Sequence, residues 1–301
     1  MNKGFKGILI SGAVALLVGI ALVVAGIAAG ASWSDVGNTL FSGKYSIGPS
    51  SNWHWGAGAT EVIADGKLSG ESNILKDIDA SSIENLTIKM AAGKLDIKEG
   101  KSKYFQVVNR EKRGDCYIEQ EGNDLTIIIR GKHGNSMGAR TTFWIPQGLE
   151  VANLAIYTDA GQVQTENLNA QELKMSVGAG QIKTEAINAN KVDIEVDAGE
   201  FKGNGKITAN QASLKVNAGN LKVDLLEAKD ADVNVDVGHI NIKFSGAQGD
   251  YNIDADVDVG EIKIGNERYH LGRGYESQDS SVDKTIEVDC SVGQATIDFE
   301  N

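Results

Sequence analysis

Two groups of side chains in this 301-residue sequence have types and spacings that chemistry could use. The first is a column of acids. Asp159, Asp197, Asp236 and Asp258 each stand two residues ahead of a glycine, and Gly178 and Asn217 hold the same place ahead of theirs. Carboxylates stacked on successive coils of a repeat repel one another, and a Ca2+ ion held by several oxygens relieves that repulsion. Turn chemistry is the other reading, because Asp and Asn beside Gly suit turns and face water. The calcium-roll repeat G-G-x-G-x-D is absent, and the two neutral residues interrupt the column. The second group is Arg268, Tyr269, His270, Arg273 and Tyr275, within GNERYHLGRGYESQDSSVDK. They concentrate cations and aromatic rings in an otherwise acidic chain. Long loops on a rigid scaffold carry recognition, so these five are the candidate ligand-binding residues. A plain excursion beside the last coil is the alternative.

Other chemistries find less support. The four histidines, His54, His133, His239 and His270, share no ligand spacing with one another or with cysteine. G-x-S-x-G is absent, and FSGKY lacks the spacing and the Ser or Thr of a phosphate loop. Cys116 and Cys290 are 174 residues apart. An exported chain permits a disulfide between them, whereas Cys290 falls in a core phase where a cysteine serves as a small apolar residue. No cofactor and no enzymatic activity are expected. A carbohydrate-active β-helix enzyme stays open as an alternative, because the fold alone does not forbid catalysis. The formal net charge of −12, from 41 acids against 29 Lys and Arg, leaves no basic stripe for nucleic acid.

The elements that position these residues repeat. KMSVGAGQIKT, DIEVDAGEFKG, SLKVNAGNLKV, NVDVGHINIK and ADVDVGEIKIG pivot on Gly180, Gly199, Gly219, Gly238 and Gly260. With Gly161 in front, successive pivots are 19, 19, 20, 19 and 22 residues apart, and Gly93 and Gly293 share the pattern. Apolar residues occupy positions one, three and five before each glycine, such as Ala198, Val196 and Ile194, and polar residues fall between them. That is the period of a strand with one face buried. Past the glycine the apolar positions become plus two and plus four, as at Ile182, Phe201 and Leu221. This change of parity requires a sharp bend, attributed to the backbone freedom of glycine. Polar returns such as ENLNAQ carry further inward candidates: Leu168, Ile187, Ile207 and Leu225.

A fixed period near twenty residues predicts an all-β, single-stranded β-solenoid of about eight coils, each lending its inward row to the next. At about 4.8 Å per coil the rod would be on the order of 40 Å long. Within it, residues 98–150 alternate like strands and carry the turn signals EGND and GKHGNSMG. They are expected as an insertion covering the first end, since a bare sheet edge invites pairing with another chain.

Ahead of the repeat, residues 1–34 hold Lys3 and Lys6 and then an uncharged run from Gly7 to Ser34, longer than the roughly 20 residues that span a bilayer. An N-terminal transmembrane helix is expected, with its amino terminus cytoplasmic and the C-terminal part outside. Cleavage as a signal peptide near Ala31, leaving a secreted protein, is the alternative. Residues 35–72 read as a Gly/Ser/Asn-rich linker with Trp53 and Trp55, and 73–301 as the solenoid.

The run TTFWIPQGLEVANLAIYTDAGQVQTENLNAQELKMSVGAGQIKTEAI resembles the core of the bacterial putative-adhesin β-strand-repeat family, a domain of unknown function. The shared features are a strand, IP-x-G, and then coils with a small residue and a glycine at each corner. The resemblance covers about Ile74 to Asn301, and it implies a surface-binding or adhesion role with a membrane anchor. Relatives tied to envelope stress imply a second reading, an accessory or sensor that contacts an envelope protein partner. The motif is structural, so it speaks for the fold more than for the function.

Overall fold

The computed structural model describes residues 72–74, 78–109, 114–131, 140–270 and 272–300. The expected membrane helix, Trp33, Trp53, Trp55, His54 and His133 lie outside the described residues. Among the described residues no helix is long and apolar enough to cross a membrane. The described chain is all-β, and its strands join in one hydrogen-bonded sheet that winds as a β-solenoid-like repeat.

Four long strands make the middle: β9 (Gln162–Val177), β10 (Gln181–Val196), β11 (Glu200–Val216) and β12 (Asn220–Val235). Each bends through a coil and lies parallel on the next, with Ile182 beside Val163 and Phe201, and Val196 beside Val177 and Val216. Positions three and five before each glycine point inward as their period requires: Val177, Val196, Val216 and Val235, then Met175, Ile194, Leu214 and Val233, are all buried. Full burial of each contributes roughly 1.5–3 kcal/mol. Thr165 and Thr184 occupy inward places on adjoining rungs and satisfy each other, with 2.9 Å between their hydroxyls. Leu226, not the expected Leu225, stacks on Ile207; it keeps the seven-residue offset from its pivot that Leu168 and Ile187 have, and it is the rung through Gly203 that carries one extra residue before its inward Ile207.

The corners differ from expectation in two ways. The residue just before each glycine faces out: Ala160, Ala179 and Ala198 are exposed, and Val292 and Val259 remain 43% and 59% exposed. Inward phase ends two residues earlier, because the next three residues turn the chain. Nor is unusual backbone freedom the reason for glycine. Of the corner glycines only Gly93 has positive φ, at 109°. Gly180, Gly199, Gly219, Gly238 and Gly293 instead lie so close to the preceding rung that a Cβ would collide with its glycine carbonyl oxygen. Close approach of two backbones is what excludes a side chain.

Spatial order departs from chain order at both ends. At the first, β2 (Asn85–Met90) and β3 (Lys94–Gly100) form a rung between β8 (Val151–Thr158) with β9 on one side and β6 (Asp124–Gly131) with β7 (Arg140–Pro146) on the other. The stretch 98–150 therefore supplies a full rung as well as outer strands. At the second end, β18 (Thr285–Cys290) and β19 (Gln294–Phe299) slot between β12 with β13 (His239–Phe244) and β14 (Asn252–Val257) with β15 (Glu261–Ile264). Counting β6 with β7, nine rungs follow one another.

Antiparallel strands close both ends. β5 (Gly114–Glu121) lies on β6 and β4 (Gln106–Asn109) on β7, with β1 (Ser72–Ile74) outside β4. At the other end β16 (Glu267–His270) lies on β15 and β17 (Tyr275–Ser277) on β14. The β5–β6 and β15–β16 hairpins turn on the same two-residue pair, Gly122–Asn123 and Gly265–Asn266, whose glycines have φ of 60° and 57°. Two-residue hairpin loops need such left-handed residues.

Candidate functional site

The acid column is real but alternates. Backbone hydrogen bonds between rungs set the order Ala91, Asp159, Gly178, Asp197, Asn217, Asp236, Ser291, Asp258. The interleaved β18–β19 rung places Ser291 between Asp236 and Asp258, so no two of these acids stand on adjacent rungs. Two rungs put the nearest pair about 10 Å apart. Asn217 donates to the Asp197 carboxylate at 2.7 Å. Among the described residues no three His, Cys, Asp or Glu side chains converge as a metal site would require. Asp159, between Ala91 and Gly178, has no neighbouring polar side chain in its column, and burial pushes its pKa up to about 6.

The five candidate ligand residues lie on the strands that close the second end. Antiparallel register sets Tyr269 beside Ile262 and Tyr275 beside Ala255. The two rings meet at 5.4 Å between centroids and 47° between planes, and both pack against the core. The Tyr269 hydroxyl donates to the Glu267 carboxylate, and Gln248 donates to the Tyr275 hydroxyl at 3.2 Å. Desolvation, followed by the Glu267 carboxylate, raises the Tyr269 pKa to about 12, so the phenol stays neutral. Arg268 and His270 occupy the alternate phase of β16 and face Glu261, at 2.6 and 3.5 Å. Gln294 donates to the same carboxylate at 3.0 Å. Arg273, in the exposed turn between β16 and β17, forms no ion pair with a described residue.

The tyrosines thus come together, Arg268 and His270 are held by Glu261, and Arg273 is left to the solvent. Sequence reading missed Glu261, which comes beside its partners only through the hairpin register; the pair Gly265–Asn266 was the signal that could have found it. The cluster offers two tyrosine rings with their hydroxyls and the exposed guanidinium of Arg273, a set suited to contact with a polar surface.

Cys116 and Cys290 are both free and buried, one beside Ile129 and the other between Val235 and Val257. Burial raises the two thiols to about 12 and about 11, which keeps them protonated and unreactive.

Solved structures similar to this chain include a putative adhesin from Parabacteroides merdae, at 11% identity and a TM-score of 0.43, covering 79% of this chain and 98% of that one. A putative lipid binding protein from Parabacteroides distasonis is similar at 16% identity and a TM-score of 0.42, covering 76% and 97%. A putative cell adhesion protein from Clostridium sporogenes is similar at 17% identity and a TM-score of 0.34, covering 76% and 98%. No curated protein matches the chain in sequence. The sequence profile of the Toastrack DUF4097 family matches residues 83–296, well over half of the chain, from ahead of β2 into the start of β19. The protein is a member of the Toastrack DUF4097 family.

Proposed function

We propose that this chain is a membrane-anchored, extracytoplasmic binding module of the adhesion kind, acting through its surface without a cofactor. One observation carries the reading. β1, where the described chain begins, belongs to the strands closing the first end of the rod, whereas Tyr269, Arg273 and Tyr275 belong to those closing the second. The strands closing the second end thus bring Tyr269, Arg273 and Tyr275 together as an exposed surface that a partner can meet, at the end opposite β1. The adhesin names of similar structures agree with this reading and do not identify a ligand.

Cells displaying the full chain test it in two parts. Resistance of the chain to carbonate extraction, together with cleavage by protease added to intact cells, is expected for an anchored exterior domain; loss of either sinks the location. Arg273→Ala with Tyr275→Ala is expected to lower cell attachment to surfaces several-fold at equal display. Unchanged attachment would remove the second end from the binding role.

A further inference from the structure

The outer face formed by the strands ahead of the corners changes character along the rod. In the middle its charges alternate between rungs. Lys191 stands beside Glu172, Lys215 stands beside Glu195, and Lys174 pairs with Asp193 at 2.9 Å. Toward the second end the alternation stops. One outward row reads Asp232, Glu287, Asp254, Glu276 across four adjacent strands. The row beside it pairs Asp289 with Asp256. No Lys or Arg occupies an outward position of β18 or β14, whose outward residues are Thr285, Glu287 and Asp289, then Asn252, Asp254 and Asp256. No described cation pairs with any of these acids. Like charges directly opposite on paired strands destabilise a sheet. The effect is visible at Asp289, whose pKa is raised by partial burial and then by the charges of Asp256, Asp232, Asp254 and Asp258.

Asp232, Glu287, Asp254 and Glu276 line a groove. It has a volume of 510 Å3 and runs along the rod from the rung of Lys191 past those of Asp230 and Asp232 to Glu276 and Ser277 on β17. Its carboxylates follow one another strand by strand at about 4.8 Å, so the four-strand row is about 14 Å long. They are strung along a line and do not converge on a point, in keeping with the lack of a three-acid metal cluster among the described residues. A line of charge matches a linear polycation better than a single ion. An extended peptide with a cation at every second residue repeats its charge about every 6.7 Å, so three cations cover the row.

We infer that this groove docks an extended, lysine- or arginine-rich polypeptide segment of a partner, held across β12, β18, β14 and β17 by the Asp232–Glu287–Asp254–Glu276 row. The middle of the same face shows that this repeat can neutralise its own charges; at the second end the partner does so. The proposal does not depend on the cap residues Arg273 and Tyr275 or on the membrane anchor.

The test uses the full chain in nanodiscs of zwitterionic lipid and a fluorescein-labelled deca-lysine probe followed by anisotropy. Binding is expected, with affinity falling linearly in log–log form with salt, and deca-glutamate is expected not to bind. The variant D232N/E287Q/D254N/E276Q is expected to lose at least about tenfold in affinity and to melt higher than the parent, since repulsion is relieved. The variant E119Q/E172Q/E185Q/E195Q, with the same net charge, is expected to keep affinity within about twofold. Should the first variant not fold, Glu287→Gln alone, flanked by an acid on either side, is expected to weaken binding about threefold. Equal losses in both quadruple variants would show a net-charge effect and overturn the proposal. So would absence of deca-lysine binding, or stoichiometric Ca2+ binding that depends on the row and excludes the peptide.

Discussion

The middle of the rod and its two ends bury the same kinds of side chain but reach their neighbours by different routes. In the middle, Gln162 meets Gln181 across 19 residues of chain, and Asn217 meets Asp197 across 20. At the second end Thr285 donates to Asp230 across 55 residues, and at the first Asn153 donates to Asn85 across 68. Middle rungs can therefore form one on another, each closing a short loop. An interleaved rung must close a long one, and it must find a slot between two rungs that do not otherwise touch. Closure over a longer loop costs only a little more entropy, but it slows formation. The ends are thus the places where order depends on contacts made late.

The sharpest break in that comparison comes from deleting residues 285–301. β14 and β15 hydrogen-bond to the body through β18 and β19, so the deletion is expected to release everything from Gly246 onward while β9 to β12 stay folded. Hydrogen exchange with peptide-level readout checks this: lost protection in residues 246–284 alone agrees, whereas lost protection across residues 162–235 would show that the middle leans on the end. A second contrast uses one substitution twice. Gly199→Val drives a side chain into the Gly180 carbonyl in the middle, and Gly260→Val does the same to Gly293 at the end. The first is expected to cost more than about 4 kcal/mol in global urea unfolding. The second is expected to loosen residues 252–270 and leave the global midpoint nearly unchanged; equal global costs would erase the distinction.

A smaller effect separates two corners. Asp197 receives a hydrogen bond from the Asn217 side chain on the next rung, while Asp159 stands between Ala91 and Gly178. The folded pKa of Asp159, about 6, lies above its ordinary 3.8. The unfolded chain therefore gives up this proton first, and stability falls as pH rises from about 4 to 6, with the full penalty present above that window. Asp159→Asn is expected to stabilise by about 3 kcal/mol at pH 7 and by nothing near pH 3. Chemical denaturation at both values measures it, and a gain that does not change with pH would place its cause outside this ionisation.

How much of this was legible follows from what a period can encode. The inward phases of β9 to β12 could be read because Val177, Val196, Val216 and Val235 recur at one fixed distance from their glycines. The outward turn of Ala160 or Val259 could not, since small apolar residues suit a core and an exposed apex alike. Rung order at the ends left no trace, because a rung carrying Ile286, Val288 and Cys290 presents the same inward pattern as any neighbour it might join. The candidate residues around Tyr269 stood out by composition, but the hold of Glu261 on Arg268 and His270 belongs to the hairpin. The acidic row was hidden for the same reason as the rung order. In the chain, Asp232, Asp254, Glu276 and Glu287 lie far apart, and space reorders them.

The slot between β12 and β14 has one more consequence, for the direction in which the protein is made. A chain emerging from its amino terminus delivers β13, then β14 and β15, then β16 and β17, before the rung that joins β14 to β12 exists. Through that interval β12 and β13 present open parallel edges and an uncovered apolar layer, and β14 and β15 have nowhere to dock. Only residues 285–299 close the gap, from within. A copy cut short of them by a nuclease or a stalled ribosome would display open edges that proteases and chaperones recognise, so this topology lets the cell tell finished molecules from unfinished ones.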